Sequence, residues 1–193
     1  MANNTPSKKR DFFNDEEFSD VIVRFANQQI FAHKVVLASG SVWFEKALCG
    51  NFSPDAIMAM LRHLYGSKYE NQKIYIEPNS TAEFHLAIFM LGDKYDIESL
   101  REEAADLFMT FLQDEVQDFE LYNGNLHAIQ KLVGPDAPQL ADRSLAETAQ
   151  ACILVHFESL FANDLFRELM ASGTMLNESL ALGVLDKIYK KKF

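Results

Sequence analysis

At His33 the hydrophobic period of this 193-residue chain changes from about two to about 3.6, and it keeps the longer period to the end. Before that point, residues 21–25 (Val-Ile-Val-Arg-Phe) and 30–32 (Ile-Phe-Ala) read as two short strands. The four polar or small residues between them, 26–29, suit a hairpin turn. A lone hairpin cannot keep its apolar face dry, so helices must cover it. The expected class is α+β and mostly helical: a small hairpin capped by a cluster of short helices, then a helical C-terminal region.

The helical part divides at local signals. Val36, Leu37, Trp43, Phe44, Ala47 and Leu48 fit two short helices broken at Gly40, with Ser41 as the N-cap of the second. Ser53-Pro54 starts the next, because serine offers a capping oxygen and proline needs no N–H at the first position. Its apolar face is Ile57, Met60, Leu61, Leu64 and Tyr65, and Gly66 ends it. Residues 73–76 suit a short strand. Ser80 with Glu83 forms a capping box opening a helix whose apolar side is Phe84, Ala87, Ile88, Leu91 and Tyr95. Leu100, Ala104, Leu107, Phe108 and Phe111 mark another helix. A weaker one spans 115–132, closed by the Gly/Pro cluster at 134–138, which is the best internal boundary.

Beyond the cluster, Ser144 and Glu147 cap a helix with face Leu145, Ala149, Cys152, Ile153, His156 and Leu160. Leu165, Phe166, Leu169 and Met170 form a short helix closed by Gly173. Leu176, Leu180, Val184, Leu185 and Ile188 form the last, which finishes in three lysines, 190–192, suited to the negative end of the helix dipole.

Composition removes several classes. At 48% hydrophobic and 24% charged residues the chain can bury enough apolar surface to fold. No apolar run approaches the roughly 20 residues that span a bilayer, and the first 20 residues lack the apolar core of a secretory signal. Cys49 and Cys152 fall in apolar helical patterns and read as buried free thiols, so the chain is expected to be intracellular and soluble, in the cytoplasm or nucleus. The formal charge of −10 is concentrated in residues 77–120, where twelve carboxylates face only Lys94 and Arg101. Binding to nucleic acid needs the opposite sign, so no nucleic-acid partner is expected, and no membrane partner.

An ordered series over residues 19–113 resembles a BTB/POZ domain. It runs through Ser19-Asp20-Val21, Phe31-Ala32-His33-Lys34, Val36-Leu37-Ala38-Ser39 with Ser41 and Phe44, and Gly50-x-Phe52. It continues in Met60-Leu61-Arg62-His63-Leu64-Tyr65-Gly66 with Tyr69, and in Leu91-x-Asp93-Lys94-Tyr95-x-Ile97-x-x-Leu100. The helices after Pro138 resemble the extension of short BTB proteins of filamentous fungi. The resemblance implies a lead over 1–17, the domain over 18–115 and a helical extension over 116–193. Its motif residues with structural roles are Asp20, Phe31, His33, Leu37, Phe44, Leu61, Leu64, Tyr65, Asp93 and Tyr95. Asp20 and His33 suit hydrogen bonds to exposed backbone at the hairpin-to-helix corner. The family pattern carries a strand-bearing segment after the position of Phe52; here Phe52-Ser53-Pro54 runs straight into a helix, so the sheet is expected to lack a strand. A splice form, a truncated gene and a lineage-specific loss each fit this gap.

No catalytic motif occurs: neither G-x-S-x-G, H-E-x-x-H, a P-loop nor a dinucleotide fingerprint. His156 lies four residues from Cys152, but two ligands without a third indicate packing and not a metal. No catalytic residue, cofactor or metal is expected. Glu98, Glu102 and Asp106 recur at i, i+4, i+8, a repulsive arrangement eased by Arg101 that reads as a solvated face or as a surface for a basic partner. By resemblance the partners are other proteins. Recruitment of a cullin uses a hydrophobic-x-Glu motif where this chain has Phe52-Ser53-Pro54, which argues against it. Phe12, Phe13 and Phe18 offer a contact for a weak homodimer. The leading expectation is a non-enzymatic protein–protein interaction module; the alternatives are a cullin-ligase substrate adaptor and a truncated product with impaired folding.

Overall fold

The hairpin forms as β1 (Val21–Phe25) and β2 (Gln28–Ala32), antiparallel, with Val23 opposite Ile30 and Phe25 opposite Gln28. The alternation works as expected: Val23, Phe25, Ile30 and Ala32 are buried on one side, while Ile22 and Arg24 face outward. The second strand starts two residues earlier than the sequence suggests, so the turn is only Ala26-Asn27. Ala26 takes φ 47°, a left-handed conformation unfavourable for a residue with a Cβ.

The structure, a computed structural model, describes residues 10–41, 52–69, 80–118, 123–175 and 177–190, with backbone alone over 113–118 and 123–124. The expected helix around Trp43 and Phe44, the strand at 73–76, Cys49 and Leu176 lie outside these residues. Among the described residues there is one two-stranded sheet and nine helices, and no helix is long and apolar enough to cross a membrane. The chain divides into two units, Met1–Gln72 and Lys73–Phe193.

In the first unit α1 (Lys34–Gly40) and α2 (Pro54–Leu64) accompany the hairpin. Ser53 caps α2 as its sequence predicts, its Oγ accepting from the Ala56 N–H at 3.1 Å. Ala56, Ile57, Ala59, Met60 and Leu61 form the buried side, and Gly66 ends the helix with φ 86°. Ser41, expected to open a helix, closes α1 instead: its N–H reaches the Leu37 carbonyl.

The second unit is wholly helical among the described residues: α3 (Thr81–Lys94), α4 (Glu98–Asp118), α5 (Asn123–Val133), α6 (Ser144–Val155), α7 (Phe157–Leu160), α8 (Asp164–Ala171) and α9 (Glu178–Lys190). α3 packs against both α4 and α5. It therefore buries more than one stripe, with His85, Leu86, Ile88, Phe89 and Leu91 inside and Phe84 and Ala87 only half-buried. The predicted face was thus too narrow and partly misplaced. The predicted capping box also fails. Ser80 makes no side-chain cap, and the Ala82 N–H is met by the buried Asn125 of α5, at 3.3 Å. α4 buries Leu100, Ala104, Phe108 and Leu112 along one stripe and continues to Asp118, so the helix expected over 115–132 is the end of α4 followed by α5.

α6 and α7 break at His156, where one continuous helix was expected. Ser144 is not the N-cap of α6. Its N–H donates to Asp142 at 2.9 Å, and Arg143 holds the cap position. Cys152 is half-buried, and burial pushes its thiol pKa up. α8 starts where Asn163 accepts from the Phe166 N–H at 3.0 Å and buries Phe166 and Leu169. On α9 only Leu180 and Val184 are buried. Leu185 and Ile188, expected inside, are exposed, because α6 meets α9 along a narrower line than the sequence pattern implies.

The burial of His85 has a consequence for acid stability. Burial lowers its pKa from the model-peptide 6.5 to about 4. Between these values the unfolded chain binds a proton that the folded chain refuses. Stability is therefore full above about pH 6.5 and falls as pH drops toward 4, by on the order of 3 kcal/mol in all. Urea midpoints should fall from pH 7.5 to pH 5, and His85→Leu should flatten the profile; an unchanged slope in the variant would contradict the assignment.

Candidate interaction surface

The corner where the hairpin meets α1 is built from side chains far apart in sequence. Asp20, at the start of β1, accepts the first N–H of α1, that of Lys34, at 2.7 Å. His33 occupies the cap position without capping through its own side chain. Its backbone N–H donates to the Tyr65 hydroxyl at 2.9 Å, and the same hydroxyl lies 2.9 Å from His33 Nδ1. The hydroxyl accepts from the N–H and so gives its own hydrogen to Nδ1, which leaves the His33 proton on Nε2. That nitrogen is buried and has no hydrogen-bond partner among the described residues. Burial also pushes the Tyr65 phenol up. Tyr65→Phe would strand the His33 N–H, and it is expected to cost about 1–3 kcal/mol, read as a lower urea midpoint with an unchanged slope.

Residues 10–18 lie over this corner. Arg10 donates to Asp15 and Glu17, both at 2.6 Å, and its guanidinium stands 5.3 and 5.4 Å from the ring centres of Phe12 and Phe18. The hydrogen bond from Arg10 holds the Asp15 carboxyl below the usual range. Asn14, at φ 52°, accepts the outward N–H of Phe31 at 3.1 Å and so closes one bond on the free edge of β2. The three phenylalanines are not equivalent. Phe13 meets Tyr65 edge-on at 5.5 Å under Arg62, whereas Phe12 and Phe18 remain 42% and 68% exposed. With Val35, 75% exposed, they rim an open groove of about 710 Å³ floored by Val36 and Leu64.

Of the other motif residues in this unit, Leu37 and Leu61 are core, Phe31 and Leu64 are half-buried, and Phe44 lies outside the described residues. Asp93 and Tyr95 are in the second unit, at the end of α3. Tyr95 is buried. The Asp93 carboxylate accepts the N–H groups of Ala141 and Asp142, at 3.1 and 2.9 Å, and fastens the connection ahead of α6. Arg101 reaches the same place. It donates to the Gly92 carbonyl and to Asp96, and its Nε faces Asp142 at 3.5 Å, an ion pair too long for a hydrogen bond. The Asp142 carboxyl is held down, first by Ser144 and then by Arg101.

Arg101 is thus turned away from the acidic stripe that it was expected to ease. Glu98, Glu102 and Asp106 are exposed on α4, and none is ion-paired with another described residue. The structure does not bring them together with the corner residues. Arg10, Asn14, Asn125 and Asp142 carry much of the local architecture, and no spacing in the sequence singles them out.

Chemically, the corner has no nucleophile beside a base. One His33 nitrogen is engaged by Tyr65 and the other is buried. Among the described residues no group of three or more His, Cys, Asp or Glu side chains could hold a metal ion. What the groove offers is apolar contact area with a charged border. Comparison with protein families finds the BTB/POZ domain over residues 10–112, more than half of the chain. No curated protein and no solved structure matches it.

Proposed function

The chain belongs to the BTB/POZ domain family, and from that premise we propose that it works as a non-enzymatic protein–protein interaction module. Residues 18–115 are the domain in this reading, 1–17 its lead and 116–193 a helical extension. The observation that carries the proposal is the groove at the hairpin-to-helix corner, whose rim keeps Phe12, Phe18 and Val35 in solvent. Large side chains left exposed together favour a surface that another protein covers. An apolar segment of a partner protein would fit it.

Substrate adaptor for a cullin-type ubiquitin ligase is the competing role. Ser53 and Pro54 weigh against it, since both are committed to starting α2 at the position where the family's recruiting motif has glutamate. A pull-down of the full chain with the N-terminal region of a cullin separates the two. No retention at micromolar concentration is expected, and robust retention would make the adaptor the better account. A single cooperative unfolding transition for each unit would count against a truncated product with impaired folding.

A further inference from the structure

α9 is apolar on two opposite sides. Leu180 and Val184 are buried, and Lys187, on the same side, donates from Nζ to the carbonyls of Leu154 and Val155 at the end of α6. Half a turn away, Leu182, Leu185 and Tyr189 are 60%, 55% and 69% exposed. Their spacing of three and then four residues is that of a seam between paired helices. Glu178, four residues before Leu182, begins the same line. Monomeric proteins rarely leave so continuous an apolar strip in water.

We infer that this outer side of α9 pairs with the same side of a second copy, in antiparallel orientation. Area supports a second copy. With Ile188 at its flank the strip exposes roughly 500 Å² per chain, so a symmetric pair buries about 1,000 Å², the lower bound for a specific interface. Charge supports the orientation. Glu178 stands in the first turn and Lys190 in the last, and with a two-fold axis between Leu182 and Leu185 each Glu178 meets the partner's Tyr189 and Lys190. Parallel pairing would set Glu178 against itself. A lipid surface fits less well, because Lys190 is already paired with Asp186 and Lys187 is turned onto α6. The inference does not depend on the groove of the first unit.

Sedimentation equilibrium of the full chain over the micromolar range tests it. The parent should move from single-chain to double-chain mass. L182E/L185E should stay at single-chain mass while keeping the parent's circular dichroism and melting temperature. Glu178→Lys, a substitution at an exposed position, should weaken association at least threefold by facing Lys190. A parent that stays single throughout, or a double variant that associates like the parent, would overturn the dimer. Unchanged association of Glu178→Lys would overturn its antiparallel form. A dimer that survives L182E/L185E would leave the interaction-module reading intact and place its contact elsewhere.

Discussion

Phe89→Ala is expected to destabilise the second unit by about 3–5 kcal/mol, the usual cost of deleting a buried aromatic ring. Phe89 has no solvent exposure and sits on α3, the helix that packs against both α4 and α5. Removing the ring loses its transfer free energy and also leaves a void that neighbours on two sides cannot both close. Against a typical total of about 5–15 kcal/mol, that loss is a third of the stability or more. Phe84, five residues earlier on the same helix, is only half-buried, and Phe84→Ala should cost less than half as much. Urea unfolding of the two variants beside the parent checks the difference. Equal losses, or a larger loss at Phe84, would mean that α3 is rotated from the orientation described.

Gly134→Ala should be of similar severity for a different reason. A Cβ on Gly134 would lie 2.5 Å from the Gln130 carbonyl oxygen and 2.6 Å from that of Thr174. Both are backbone atoms, so no side chain can turn aside, and either the end of α5 or the segment after α8 must move. The expected loss is about 3 kcal/mol or more, seen as a lower melting temperature and a lower urea midpoint. Gly66→Ala is the control. Its φ of 86° costs an alanine about 1 kcal/mol, but nothing stands within 4 Å of the added carbon. A Gly134 variant as stable as the Gly66 variant would contradict the close approach of the two carbonyls.

How far the sequence could be read follows the range of the interactions involved. Hairpin faces and the start of α2 depend on residues within a few positions of one another, and alternation together with Ser53-Pro54 reports both. Helix starts were misread wherever the capping group is distant: Asn125 for α3 across 43 residues, and Asp20 for α1 across 14. Local serines at 80 and 144 carried the expected signal, yet neither serves as a cap. Periodicity likewise finds an amphipathic helix but not how much of it a neighbour covers. It therefore put too few residues of α3 inside and too many of α9.

The corner itself was half legible. Asp20 and His33 were singled out as hydrogen-bonding residues. Asp20 does accept a backbone N–H, whereas the His33 ring bonds the Tyr65 hydroxyl. Nothing in the spacing of Arg10, Asp15 and Glu17 announces a guanidinium gripped by both carboxylates and lying over two phenylalanines. That arrangement depends on the path of the backbone, with left-handed residues at Asn14 and Phe18. The acidic run at Glu98, Glu102 and Asp106 was easily seen, but it remains an exposed helix face with no partner on the chain.

The central claim is that a partner protein docks on the apolar rim of the corner groove. The most direct measurement is affinity capture from the host with the full chain, set beside the variant Phe12→Ser/Phe18→Ser/Val35→Ser, followed by titration of the purified captured protein against both. The account predicts a partner that the parent holds with micromolar affinity or better and that the variant binds at least tenfold more weakly at an unchanged melting temperature. Equal binding by the two chains would contradict it.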